Sequence, residues 1–185
     1  HYGFLPCAAD GGAAGTGAAA SRAAVAFEGF SVELQLPADD PLLGAKQALL
    51  AARGLAGLHW LRPGGAIAPR LRGAVRLGAL SAAELAAARG GAALPDTVAA
   101  PLCFANEQRC LQLLRAFVEA LRAGLPPWTP DGGSPARVYA ELQRRTLREA
   151  LESVQADEFR LYSGKWKLPK ALTPASPAAA PPAPP

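Results

Sequence analysis

Residues 105–124, ANEQRCLQLLRAFVEALRAG, decide how the rest of the chain is read. Cys110, Leu114, Phe117 and Leu121 recur at intervals of four, three and four, and Leu111, Leu113 and Val118 widen the stripe. That spacing matches a 3.6-residue period with one apolar face, and Gly124 supplies a C-terminal stop, so the segment is expected to be a long amphipathic helix. Asn106 stands at its start, where an asparagine side chain is suited to cap the helix.

Similar signals lie on both sides. On the C-terminal side, the loop LPPWTPDGGSP ends at Ser134, an N-cap with Pro135 in the first turn, and opens a helix expected to run to about Val154. Its apolar positions are Ala140, Leu147, Leu151 and Val154, while Arg137, Arg144, Arg145 and Arg148 face outward. Glu141 with Arg145 and Arg148 with Glu152 have i,i+4 spacing, which favours ion pairing on a helix surface. On the N-terminal side, Ser81 and Glu84 form an S-x-x-E capping box that starts a short helix ended by Gly90-Gly91. Before it, a helix over 67–79 carries Ile67, Leu71, Val75 and Leu77, with Arg70, Arg72 and Arg76 towards its other faces. A further helix starts at Pro41 behind Asp39 or Asp40 and ends at Arg53-Gly54, with Leu42, Ala45, Leu49 and Ala52 on one stripe. Residues 54–65 read as a loop or a short strand. At the front, Val25, Phe27, Val32, Leu34 and Leu36 alternate with polar residues, predicting a half-buried strand pair broken at Gly29.

The expected fold is mainly α, a bundle-like domain of about five helices over 25–161 with a short strand or hairpin at its N-terminal end. Residues 8–24 are rich in Ala and Gly and are expected to be a flexible insertion, because they carry too little apolar surface to offset the entropy of ordering. From Pro169 to Pro185, 13 of 17 residues are Pro or Ala, so this tail is expected to be disordered.

Composition narrows the function classes. The 185 residues hold 43 Ala, 19 Gly, 18 Pro and 15 Arg against 4 Lys, a bias that GC-rich codons explain. The net charge of +4 is mild, and no run of basic residues resembles a nucleic-acid arm. No apolar stretch reaches the roughly 18 residues of a membrane span, so neither nucleic acid nor membrane is an expected partner. The chain begins at His1 and holds no Met, and it is expected to be the back part of a longer protein.

Catalytic motifs are missing. No G-x-G-x-x-G, P-loop or H-E-x-x-H occurs, and the Gly-rich GGAAGTG at 11–17 lacks the flanking strand and helix that would build a phosphate cradle. Cys7, Cys103 and Cys110 form no C-x-x-C pair and only His1 and His59 are imidazoles, so no structural zinc site is expected and the thiols read as free and buried. His59 between Leu58 and Trp60 reads as a partly buried structural histidine; pairing with Cys103 as nucleophile and base is the catalytic alternative. Trp128, in a Pro-rich loop, suits either partner contact or closure of the bundle. Arg144 and Arg145 suit an acidic partner or a solvated helix face.

An ordered set of short motifs carries a resemblance. HYGFLP at the start resembles the Y-G-F segment that closes the catalytic SET domain in the Rubisco large-subunit lysine methyltransferase group. FSVELQLPADDPLLGAKQALLAARGL, PRLRGAVRLGALSAAEL, PLCFANEQRCLQLLRAFVEAL and ARVYAELQRRTLREALESV are similar, in order, to four parts of that group's helical C-terminal domain. These are its strand and acid-capped helix, its Leu-Arg-hydrophobic helix with a following Glu-Leu, its Asn-Glu helix start and its Arg-rich final helix. The likeness covers about 1–7 and 27–155; the family's Glu-Lys in the final helix is Glu149-Ala150 here, and 8–24 has no counterpart.

The resemblance implies the substrate-binding region of an S-adenosylmethionine-dependent protein-lysine methyltransferase, with residues 1–7 as the closing strip of the SET domain. It implies that Tyr2 borders the target-lysine channel and Phe4 the S-adenosylmethionine adenine, as non-catalytic walls. Trp128, Arg144 and Arg145, singled out above from their own chemistry, are the candidate substrate contacts, and the resemblance implies that the substrate is Rubisco large subunit, aldolase or another lysine-bearing protein. This chain alone is expected to be inactive and to bind no cofactor, with the donor bound in the full-length parent. A chloroplast location is in keeping with the family, with cytoplasm or nucleus as alternatives. The competing class is a free-standing helical adaptor that binds proteins through Trp128 and the Arg-bearing final helix.

Overall fold

The computed structural model describes residues 29–89, 97–98, 100–125 and 135–168. Its element order is β1 (Phe30–Glu33), α1 (Leu43–Ala52), β2 (Leu58–Leu61), α2 (Pro69–Gly78), α3 (Ala82–Arg89), α4 (Phe104–Ala123) and α5 (Pro135–Tyr162). The architecture is mainly α, five helices with one two-stranded antiparallel sheet near the front. The expected segments at 1–7, 8–24 and 169–185, and the strand residues Val25 and Phe27, lie outside the described residues.

Among the described residues β1 pairs with β2, with Phe30 opposite Leu61 and Glu33 opposite Leu58; the partner segment expected before Gly29 lies outside them. Gly29 lies tight against the end of β2. Its φ is +129°, and a Cβ there would sit 2.2 Å from the Leu61 carbonyl oxygen. Val32 and Leu61 point inward, and Leu58 and Trp60 remain exposed on the opposite face.

α4 packs most extensively on α5 and next on α2, with α1 on the far side of α2. The main core therefore joins Val32 and Leu61 of the sheet to Leu71 and Val75 of α2, Leu111, Leu114 and Val118 of α4, and Leu147, Leu151 and Val154 of α5. A second, smaller core joins Leu50, Leu55, Leu77, Leu80, Leu85 and Leu102. α2 contributes to both, and every residue described from Val75 to Gly78 is buried. A helix covered on nearly all sides needs small residues where neighbours approach. Gly73 meets Val98 and Gly78 meets Leu36, each so closely that a Cβ would fall within 3 Å of the neighbouring side chain.

Three helix readings are corrected. Leu113 does not widen the apolar stripe of α4; it is half exposed, because α2 and α5 cover only the Cys110–Leu114–Val118 face and the Leu111 flank. Asn106 does not cap α4, which begins at Phe104 behind an extended Cys103; Asn106 sits inside the first turn. α5 does not stop near Val154 but continues to Tyr162, about 42 Å at 1.5 Å per residue. Asp157 interrupts the apolar stripe in the sequence, yet it lies on the buried face, where Arg72 and Arg160 neutralise it. On the outer face of α5, Glu141 pairs with Arg137 rather than Arg145, and Arg145 pairs with Glu149 at 2.6 Å. The Arg148–Glu152 pair forms at 4.0 Å, as the spacing implies.

Candidate functional site

Two polar assemblies stand out against this apolar frame. The first is buried where α2, α3 and α4 meet. Arg76 was read as lying on an outer face of its helix, but α4 and the segment around Thr97 cover it and leave it 3% exposed. A guanidinium removed from water needs a matched partner, and Glu107 supplies one: Nε donates to Oε2 at 2.6 Å and Nη2 to Oε1 at 2.9 Å. This two-point fork is the strongest geometry available to such a pair. Nη1 donates to the Thr97 carbonyl at 2.7 Å.

The same region closes the C-terminal end of α2, whose last carbonyls have no partner within the helix. Asn106 Nδ2 donates to the Arg76 carbonyl at 3.0 Å, and Arg109 Nε donates to the Ala79 carbonyl at 2.9 Å. Asn106 is thus a cap, for the end of α2 instead of the start of its own helix. Its buried Oδ1 has no hydrogen-bond partner among the described residues, a cost accepted to close that end.

Glu84 links this cluster to α3. The capping box forms as its sequence implies, with the Ser81 amide donating to Glu84 Oε2 at 2.8 Å and the Glu84 amide donating to Ser81 Oγ at 3.3 Å. Arg109 pairs with the same carboxylate, and the Cys103 thiol donates to Oε1 at 3.3 Å. Burial opposes the charge on Glu84, but the Ser81 amide, Arg109 and Cys103 together hold its carboxyl below the ordinary range. A folded-state value below the unfolded one adds stability that is present above the unfolded value, about 4.5, and is lost as pH falls through the folded value. Wild-type protein is therefore expected to lose stability more steeply below about pH 4.5 than Glu84→Gln, as chemical denaturation across that range would show.

The second assembly is open to solvent. After α5, Gly164 (φ +70°) reverses the chain, and the Trp166 amide returns to the Arg160 carbonyl at 3.4 Å. This turn folds Lys165, Trp166 and Lys167 back over a cleft of about 650 Å³ between α2 and α5. Arg72 from α2 and Arg160 from α5 line it and share the single carboxylate of Asp157. Ile67, Val98 and Leu168 give it apolar walls. The sequence reading missed this site; its one signal, Lys165-Trp166-Lys167, lies between the last predicted helix and the Pro-rich tail.

The residues singled out from sequence do not gather into a centre. Tyr2, Phe4 and Trp128 lie outside the described residues. Arg144 and Arg145 are neighbours on α5, the first half-buried and the second exposed, and Arg145 is held by Glu149. Glu149 also accepts the Gly64 amide at 3.0 Å, so this pair braces the loop between β2 and α2.

The nucleophile–base alternative is not assembled. His59 Nε2 bonds the Leu55 carbonyl at 3.1 Å, and burial holds its imidazole below the ordinary value, while the Cys103 thiol is turned to Glu84. Burial, reinforced by Glu107, pushes the Cys110 thiol up, away from the thiolate that a nucleophile requires. Cys103 and Cys110 are both buried thiols. Among the described residues no His, Cys, Asp and Glu side chains gather as a metal site, and no helix is long and apolar enough to cross a membrane. The chain matches no protein-family profile and no curated protein.

Proposed function

We propose that this chain is the helical, substrate-binding C-terminal region of a SET-type protein-lysine methyltransferase and is non-catalytic by itself. One observation carries the reading. The motifs behind the resemblance, Val75-Arg76-Leu77, Glu84-Leu85 and Asn106-Glu107, are far apart in sequence and meet in one buried cluster. Arg76 binds Glu107, Asn106 closes the helix that carries Arg76, and Arg109 ties Glu84 to that helix end.

In this reading the parent's SET domain transfers the methyl group from S-adenosylmethionine to a lysine ε-amine, and this region holds the protein that carries the lysine. Tyr2 borders the lysine channel and Phe4 the adenine. Trp128, Arg144 and Arg145 contact the substrate, which is Rubisco large subunit, aldolase or another lysine-bearing protein. A chloroplast location fits that assignment, with cytoplasm or nucleus as alternatives.

The reading is tested by titrating the chain with Rubisco and with aldolase, and then assaying both mixtures for methyl transfer from S-adenosylmethionine. Saturable binding of one of them is expected, weakened about tenfold (about 1.4 kcal/mol) by Arg144→Ala with Arg145→Ala, with no transfer. Turnover by the isolated chain would overturn the assignment.

A further inference from the structure

We propose that the cleft between α2, α5 and the 163–168 turn docks an acidic peptide segment of a partner protein. Neither Arg144 nor Arg145 lines this site, and the proposal holds whether or not the chain belongs to a methyltransferase.

Charge is the first argument. Arg72, Arg160, Lys165 and Lys167 ring the cleft, and Asp157 is the only carboxylate among its described lining residues. Asp157 is already bonded to both Arg72 and Arg160. Arg76 also reaches the lining, but Glu107 neutralises it. Lys165 lies 5.3 Å above the Phe159 ring, and neither Lys165 nor Lys167 has a carboxylate partner among the described residues. Crowded cations repel one another, and an incoming carboxylate relieves that repulsion.

Contrast with the rest of α5 is the second. Along its outer face the arginines are balanced within the helix: Arg137 by Glu141, Arg145 by Glu149 and Arg148 by Glu152. Three arginines of the outer face are thus neutralised within the helix, whereas the cleft gathers Arg72, Arg160, Lys165 and Lys167 round one carboxylate, a compact concave cluster and not the long track that a nucleic-acid backbone requires.

Shape and lining are the third. A volume of about 650 Å³ lies in the ordinary range for a bound ligand of a few side chains. Its walls combine cations with Trp166, Ile67, Val98 and Leu168. Such a mixture suits a carboxylate beside an apolar side chain, which a peptide supplies and a bare phosphate does not. Trp166 is half-buried at the rim, an aromatic of the kind enriched where proteins meet.

The test is fluorescence anisotropy of the full chain with a labelled decapeptide of Asp and Glu around a central Leu. Saturable binding is expected, weakening at least tenfold in Lys165→Glu with Lys167→Glu and weakening again as salt is raised. Both lysines are exposed, so the variant is expected to keep the wild-type circular dichroism spectrum. Arg122→Glu with Arg148→Glu changes the net charge equally on exposed positions outside the cleft, and it is expected to bind the peptide like wild type. Failure of the peptide to saturate, or equal loss in both double variants, would overturn the proposal. So would tighter binding of a ten-nucleotide single strand through the same lysines, or full displacement of the peptide by an equal concentration of inorganic phosphate.

Discussion

Glu107→Ala is expected to lower the stability of the chain by about 3–5 kcal/mol, measured by urea or thermal unfolding. Glu107 is fully buried, and among the described residues its carboxylate is the only one paired with the almost fully buried Arg76. Removing it leaves a guanidinium in the interior with only the Thr97 carbonyl as a partner. The loss is a desolvation cost more than a lost attraction, and that distinction has a consequence. Exchanging both partners for apolar residues of similar size, Arg76→Met with Glu107→Leu, is expected to recover most of the stability, because no uncompensated charge remains. A double variant as unstable as the sum of its single variants would show instead that the two side chains act independently, with no coupling between them.

Leu114→Ala is expected to cost about 2–5 kcal/mol, which for a chain of this size lowers the melting temperature by roughly 5–15 °C. Leu114 has no exposed surface and sits where α4 meets both α2 and α5, so its removal opens a cavity that three packed elements cannot easily close. Its near neighbour gives the contrast. Leu113 is half exposed, and Leu113→Ala is expected to change stability by no more than about 0.5 kcal/mol. Comparable losses at the two positions would mean that α4 is rotated from the face described here.

These residues also show how far the sequence could be read. The long helix around Leu114 was legible because Cys110, Leu114 and Leu121 keep the helical period, and all three are buried. The Ser81–Glu84 box was legible because its two reciprocal bonds are local. What depends on distant partners was not. Arg76 reads as a surface residue until Glu107, 31 positions away, is seen to cover it. Asn106 has the chemistry of a cap, but the helix end it closes belongs to another helix. Asp157 falsely marks the end of α5, since only the fold brings Arg72 to meet it. The pairing of β1 with β2 was missed because Gly29 reads as a break within one stretch, whereas it makes room for Leu61 from another. Arg144 and Arg145 stand out in the sequence by their adjacency, and neither lines the cleft. The cleft was not found, because Arg72, Arg160 and Lys165 come together only through the turn after α5.

Mapping the transcript upstream of His1 tests the central claim most directly. The methyltransferase reading predicts continuous open reading frame there, carrying an in-frame Asn-His motif and a Tyr-Gly about a dozen residues before Tyr2. A start codon immediately before His1, with no such frame, would contradict it and leave a free-standing helical adaptor in its place.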